Sequence, residues 1–231
     1  MRTVTIPLLA LALTSSAAGQ PSTRTITEEY PDRFVSEISC PRFYDKTPVA
    51  DAADKAIWDW VNKMEKEFNA SAVKQVRDLG VPANQYESKT ASEVTFYSPK
   101  KLISVSCDSY EYLGGAHGNS TYRVFNFGEV RGKAKQLTLG DLFKPGSDFK
   151  SLVSRLLIEK LKEDDGATRV QSGEVKSFTD KQLDRFQVRP EGLTFLFDAT
   201  ELAPYSNGRF QVQILVEDLG PDFEWTKVLS E

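Results

Sequence analysis

Histidine is almost absent from this 231-residue chain, and the soft ligands are scarce: one His, two Cys and two Met. A single histidine cannot build a two- or three-histidine zinc site, and neither H-E-x-x-H nor C-x-x-C spacing occurs. A D-x-D-x-D-G calcium loop is missing, as are a glycine loop opening a helix to cradle phosphate and the G-x-S-x-G elbow of a serine hydrolase. No metal, cofactor or catalytic residue is therefore assigned. A surplus of positive charge is lacking too. With 29 basic and 33 acidic residues the net charge is −4, which is a poor complement to nucleic acid. After the first 20 positions, no apolar run approaches the ~20 residues that a spanning helix requires.

What is present begins with a leader. Met1-Arg2-Thr3 is a short basic start, residues 4–13 are apolar, and residues 16–20 are rich in small side chains, the order of a secretory signal peptide over 1–19. Its removal costs one basic residue, Arg2, and leaves an exported product, periplasmic or extracellular, with no membrane span. The mature chain is long enough for one large or two small domains. Its composition, 40% hydrophobic and 27% charged, is that of a globular protein. Export makes a disulfide between Cys40 and Cys107 the expectation, and a cysteine paired in this way is not a nucleophile.

Along the chain, residues 20–32 read as a polar lead and residues 33–40 as a first strand ended by Pro41. Thr47-Pro48 is an N-cap followed by proline at the first helical position, with Asp51 and Asp54 near the positive end. Ala53, Ile57, Trp60, Val61, Met64 and Phe68 recur at helical spacing and predict a long helix to about residue 76. Residues 79–88 read as a loop. Residues 93–97 and 102–107 predict a hairpin, and residues 121–127 a further strand. The short connections imply antiparallel pairing. Thr138 to Phe143 starts a short helix with Asp141 as a cap, and Asp148 caps a second long helix bearing Leu152, Val153, Leu156, Leu157 and Leu161. Residues 163–176 read as an exposed loop. Residues 186–188 and 193–197 flank a turn at Arg189-Pro190-Glu191-Gly192, and residues 210–216 alternate as a closing strand. The fold expected is α+β: antiparallel sheets covered by two long helices, with two subdomains in one compact unit.

The densest local signal lies at residues 110–119. Gly114-Gly115 and Gly118-Asn119 offer two bends, and His117 stands between them. The imidazole there is open to several roles: acid, base, ligand, polar anchor, or a tie between the loop and a carbonyl. Ser106 or Ser120 with His117 and Asp108 forms a nominal triad, but residues so near in sequence seldom converge in that way. Tyr110, Tyr112, Tyr122 and Tyr205 lie in or beside turns, where tyrosine supplies rigid contact area and a hydroxyl.

Gly114-Gly115-Ala116-His117 after a tyrosine-bearing strand, then the strand from Tyr122 to Phe127 and the segment from Leu137 to Phe143, resemble the extracytoplasmic domain of RsiV-type lysozyme-sensing anti-sigma factors. The same pair of subdomains is similar to the non-catalytic N-terminal part of PdaC-type peptidoglycan deacetylases. The likeness extends over residues 24–223, without the sigma-binding segment or the deacetylase domain. The division expected is the signal peptide at 1–19, an N-terminal subdomain at 20–113 and an RsiV-like subdomain at 114–231. The likeness implies an exported, non-catalytic binding protein of the bacterial cell envelope, whose partner is a lysozyme-type muramidase or a peptidoglycan fragment. The binding residues expected are Tyr112, Gly114, Gly115, Ala116, His117, Asn119 and Tyr205. The alternative is an accessory of an envelope hydrolase or deacetylase, with His117 as base.

Overall fold

The computed structural model describes residues 21–30, 34–80 and 86–224. The expected leader at 1–19 lies outside them. Among the described residues, nine strands form two sheets, each covered by a helix. β1 (Ser22–Tyr30), β2 (Phe34–Arg42), β3 (Tyr86–Ser98), β4 (Leu102–Tyr112), β5 (Asn119–Val130) and β6 (Lys133–Gln136) form a six-stranded sheet in sequence order. β7 (Phe186–Arg189), β8 (Gly192–Phe197) and β9 (Phe210–Leu215) form an antiparallel three-stranded sheet.

Between β2 and β3 runs the helix α1 (Pro48–Leu79). Thr47 caps it as expected, its Oγ1 accepting from the Ala50 N–H at 3.2 Å, and Gly80 closes it in the left-handed conformation at φ 62°. Ala53, Ile57, Val61, Met64 and Phe68 are buried, joined by Trp58, and Trp60 meets the Phe125 ring edge-on. Full burial of a side chain such as Phe68 contributes about 2–3 kcal/mol. Because α1 carries the chain across the sheet, β2 and β3 pair in parallel, with Phe34 opposite Tyr86 and Ser39 opposite Ala91. The remaining neighbours are antiparallel. A crossover helix allows this single parallel step, which the short loops elsewhere do not.

Three further readings are corrected. The polar lead contains β1, which pairs with β2 from Ser22↔Arg42 to Tyr30↔Phe34. Its Thr, Arg and Glu residues suit the outer strand of a sheet, where charge discourages pairing with other chains. The loop placed over 79–88 ends early, since β3 starts at Tyr86. The loop placed over 163–176 holds the short helix α3 (Thr168–Gln171), anchored by buried Ala167 and Val170.

The second long helix, α2 (Phe149–Lys162), buries Val153, Leu157 and Leu161 over the small sheet. Asp148 occupies its N-cap position without a side-chain capping bond. Asp141 does cap its short turn, accepting from the Thr138 N–H at 2.8 Å. α4 (Asp180–Leu183) opens on a Thr179 and Gln182 capping box and leads into β7.

β4 positions everything else because both of its faces are covered. Ile103, Val105 and Cys107 point toward α1, while Ser104 and Ser106 point toward β7. There the Val188 N–H donates to Ser104 Oγ at 3.0 Å, and Gln187 Nε2 donates to Ser106 Oγ at 2.7 Å. From β5, Asn126 Nδ2 donates to the Phe186 carbonyl at 2.7 Å. These groups are buried and join the two sheets through hydrogen bonds. The division expected at 113/114 falls inside the β4–β5 connection, and both strands belong to one sheet.

The two cysteines of the expected cystine stand on β2 and β4 of the large sheet. Cys40 and Cys107 are free thiols, both buried. Cys40 lies opposite Arg24 of β1, and Cys107 lies opposite Ser92 of β3. The strand β3 runs between theirs. The neighbouring Cys40 thiol, together with burial, pushes the Cys107 thiol well up from its ordinary value.

Candidate functional site

The glycine-histidine loop, residues 113–118, joins β4 to β5 and projects from the end of the large sheet. Gly114 and Gly115 have φ of 91° and 107°, backbone that a side chain with a Cβ resists. The bend they make lets Tyr112 reach back and donate its hydroxyl to the Gly115 carbonyl at 3.0 Å. Gly118 is required for a different reason: a Cβ there would overlap the ring of Tyr110.

Residues 114–117 are exposed, as is Asn119. The His117 ring stacks on Tyr205, with centroids 4.1 Å apart and planes 22° apart. His117 Nδ1 lies 2.9 Å from the Gly118 carbonyl oxygen. A carbonyl can only accept, so Nδ1 carries the hydrogen and the neutral ring offers Nε2 as an acceptor. The Tyr205 hydroxyl donates to the same oxygen at 2.8 Å. One carbonyl, with both lone pairs used, thus locks an imidazole and a phenol into a single plate, and Tyr205 remains 41% exposed.

Behind this plate, charges fix β5 to the small sheet. Arg209 binds Asp108 bidentately at 2.5 and 2.6 Å, and its guanidinium lies 4.1 Å from the centre of the Tyr122 ring. The Tyr122 N–H donates to Asp198 at 2.7 Å, and Gln211 Nε2 donates to the Tyr122 hydroxyl at 3.0 Å. Arg185 binds both Asp198 and Glu201. Burial raises the Asp198 carboxyl above its ordinary value, outweighing the Tyr122 N–H and Arg185, which favour its charged form. The bond to Asp108 raises the already high value of Arg209.

Gly114, Gly115, Ala116 and His117 therefore share one exposed loop, Tyr112 stands beside it at the end of β4, and Tyr205 joins them from 87 residues away by way of Gly118. The nominal triad does not assemble. Asp108 is held by Arg209, and Ser106 accepts from Gln187 on the buried seam. Arg185, Asp198 and Arg209 carry no sequence signal for their roles, since each is defined by a partner distant in the chain. Glu111 was also missed; burial, with Glu67 beside it, raises its carboxyl value.

Residues 28–120 match the family model described as "Deacetylase PdaC", and residues 140–217 match that described as "Protein of unknown function (DUF3298)". The chain is similar to PdaC. Over 152 residues it is 22% identical to the peptidoglycan-N-acetylmuramic acid deacetylase PdaC of Bacillus subtilis (strain 168), covering 61% of this chain. The aligned part spans only 32% of that relative's length. Two crystal structures share the fold. A DUF3298 family member from Bacteroides fragilis NCTC 9343 superposes with a TM-score of 0.59 at 18% identity, covering 94% of this chain and 100% of its own. A DUF3298 protein from Pseudomonas aeruginosa PAO1 gives 0.58 at 18% identity, covering 87% and 91%. The PdaC-like match runs through the glycine-histidine loop, whereas Tyr205 falls within the DUF3298 match. The plate is thus assembled across the two.

Proposed function

We propose that this chain is an exported, non-catalytic binding protein of the bacterial cell envelope, and that it engages peptidoglycan glycan through the His117–Tyr205 plate. The observation that carries this reading is the exposed stack at 4.1 Å on a fixed carbonyl. A rigid aromatic pair loses little side-chain freedom on contact, and it presents a flat apolar face bordered by the Nε2 acceptor. The likeness to a deacetylase named for peptidoglycan supports glycan as the ligand class. The resemblance to RsiV-type receptors supports a muramidase as the other partner to assay. An accessory role in hydrolysis or deacetylation, with His117 as base, is a further alternative, favoured by the free Nε2.

Retention on insoluble peptidoglycan and on immobilised lysozyme is the test. Wild-type protein is expected to stay on peptidoglycan, and His117→Ala and Tyr205→Ala each to weaken retention about tenfold, the loss of one aromatic contact. His117→Ala should lower the melting temperature by only about 2–4 °C, because the exposed ring gives up little beyond its stack on Tyr205. Failure of intact protein to bind either material overturns both binding versions. Acetate or reducing-end release that disappears with His117→Ala would establish the catalytic alternative.

A further inference from the structure

At the far end of β4 from the glycine-histidine loop, the chain leaving β2 makes a second rigid feature. Residues 43, 45 and 47 are each fixed. Phe43 stacks on Tyr97 with centroids 5.6 Å apart, and its N–H donates to Asp54 at 3.1 Å. Asp45 accepts from the Tyr97 hydroxyl, and Thr47 donates its hydroxyl to the Pro99 carbonyl. Tyr44, between these anchors, is 62% exposed. Among the described residues its ring has no stacking or hydrogen-bond partner. A backbone anchored on both sides thus holds a bare aromatic ring in water, which costs folding some apolar burial and returns nothing within the chain.

Tyr44 lines a hollow of about 500 Å³ between this loop and the first three turns of α1. The walls carry three cations, Arg42, Lys46 and Lys55, and three anions, Asp51, Asp54 and Asp59. Arg42 binds Asp54 at 2.6 Å and lies 4.0 Å over the Trp58 ring, while Lys55 binds Asp59 at 2.5 Å. The hollow therefore has no net charge to reward an ion, but it is dense in donors and acceptors around one aromatic face. That combination suits a ligand with an apolar C–H face and a ring of hydroxyl or amide groups.

We propose that this hollow is a second binding site and that it takes a neutral pyranose sugar, stacked on Tyr44 and hydrogen-bonded to the paired charges of α1. It is separate from the His117–Tyr205 plate, which lies about 35 Å away along β4 at strand rise, and it does not depend on the plate's function.

The test is titration of the full chain with N-acetylchitotriose and, as a charged control, trigalacturonate. It is followed by the indole N–H resonance of Trp58, which donates to the Pro41 carbonyl at 2.9 Å beneath Arg42. A saturable shift with chitotriose is expected. Tyr44→Ala should weaken it about tenfold, Tyr44→Phe should preserve it, and His117→Ala should leave it unchanged. Absence of a saturable shift, undiminished binding by Tyr44→Ala, or equal binding of trigalacturonate overturns the proposal. Sensitivity to His117→Ala but not to Tyr44→Ala would place the sugar on the plate instead, so the two readings fail separately.

Discussion

Replacing Gly192 with alanine is expected to destabilise the protein by about 4 kcal/mol and to lower its melting temperature by roughly 10 °C. Gly192 ends the two-residue turn between β7 and β8 with φ at 152°. A Cβ there would overlap the Ile214 carbonyl oxygen and lie 3.0 Å from the Leu215 Cα. These are backbone atoms of the adjacent strand β9, paired through Gly192↔Leu215, and cannot turn aside as a side chain would. The strain and the overlap therefore add, and relief requires that β9 separate from β8. Urea unfolding followed by circular dichroism measures the loss. A deficit below about 1 kcal/mol would mean that the hairpin relaxes freely.

The second large effect is expected from Arg185→Leu. The Arg185 side chain is only 12% exposed and is bound by Asp198 and Glu201, themselves 22% and 23% exposed. Removing the cation leaves two half-buried carboxylates facing each other, at a cost of about 3 kcal/mol near neutral pH. The pH dependence has a definite sign. The Asp198 carboxyl is already raised in the fold, chiefly by burial. An acid with a raised folded value contributes stability that is complete below its unfolded value and is lost as pH rises through the folded one. Without Arg185 that value rises further, so the variant's deficit should shrink as pH falls from about 7 toward about 4.5. Urea midpoints of wild type and variant at the two pH values decide the matter. An equal deficit at both would show that lost packing, and not charge, dominates.

Local chemistry made parts of this architecture legible. Thr47-Pro48 marks the start of α1, and the apolar period within the helix marks its buried face, because capping and helical spacing act over four residues or fewer. The turn at 189–192 is legible for the same reason. β1 was hidden because the outer strand of a sheet tolerates the charged, threonine-rich composition of a polar tail. β4 was only half legible. The alternation over residues 102–107 marks a strand, but it gives Ser104 and Ser106 the appearance of a wet face. They are dry because β7, about 80 residues later, brings Gln187 and the Val188 N–H to meet them. The site divides similarly. The bend and the exposed imidazole follow from Gly114, Gly115 and His117, and Tyr205 was named for its turn. Their stacking, with the Asp108–Arg209 and Asp198–Arg185 pairs behind, rests on contacts that no local pattern encodes.

The hydrogen-bonded seam between β4, β5 and β7 has a consequence for how the molecule comes apart. Were the small sheet to detach alone, Ser104, Ser106 and Asn126 would surrender their partners together, while the underside of the large sheet flooded with solvent. Neither half has an inexpensive way to persist without the other, so the melting of 22–136 and of 139–224 is tied into one cooperative event, although two sheets and two family likenesses divide the chain on paper.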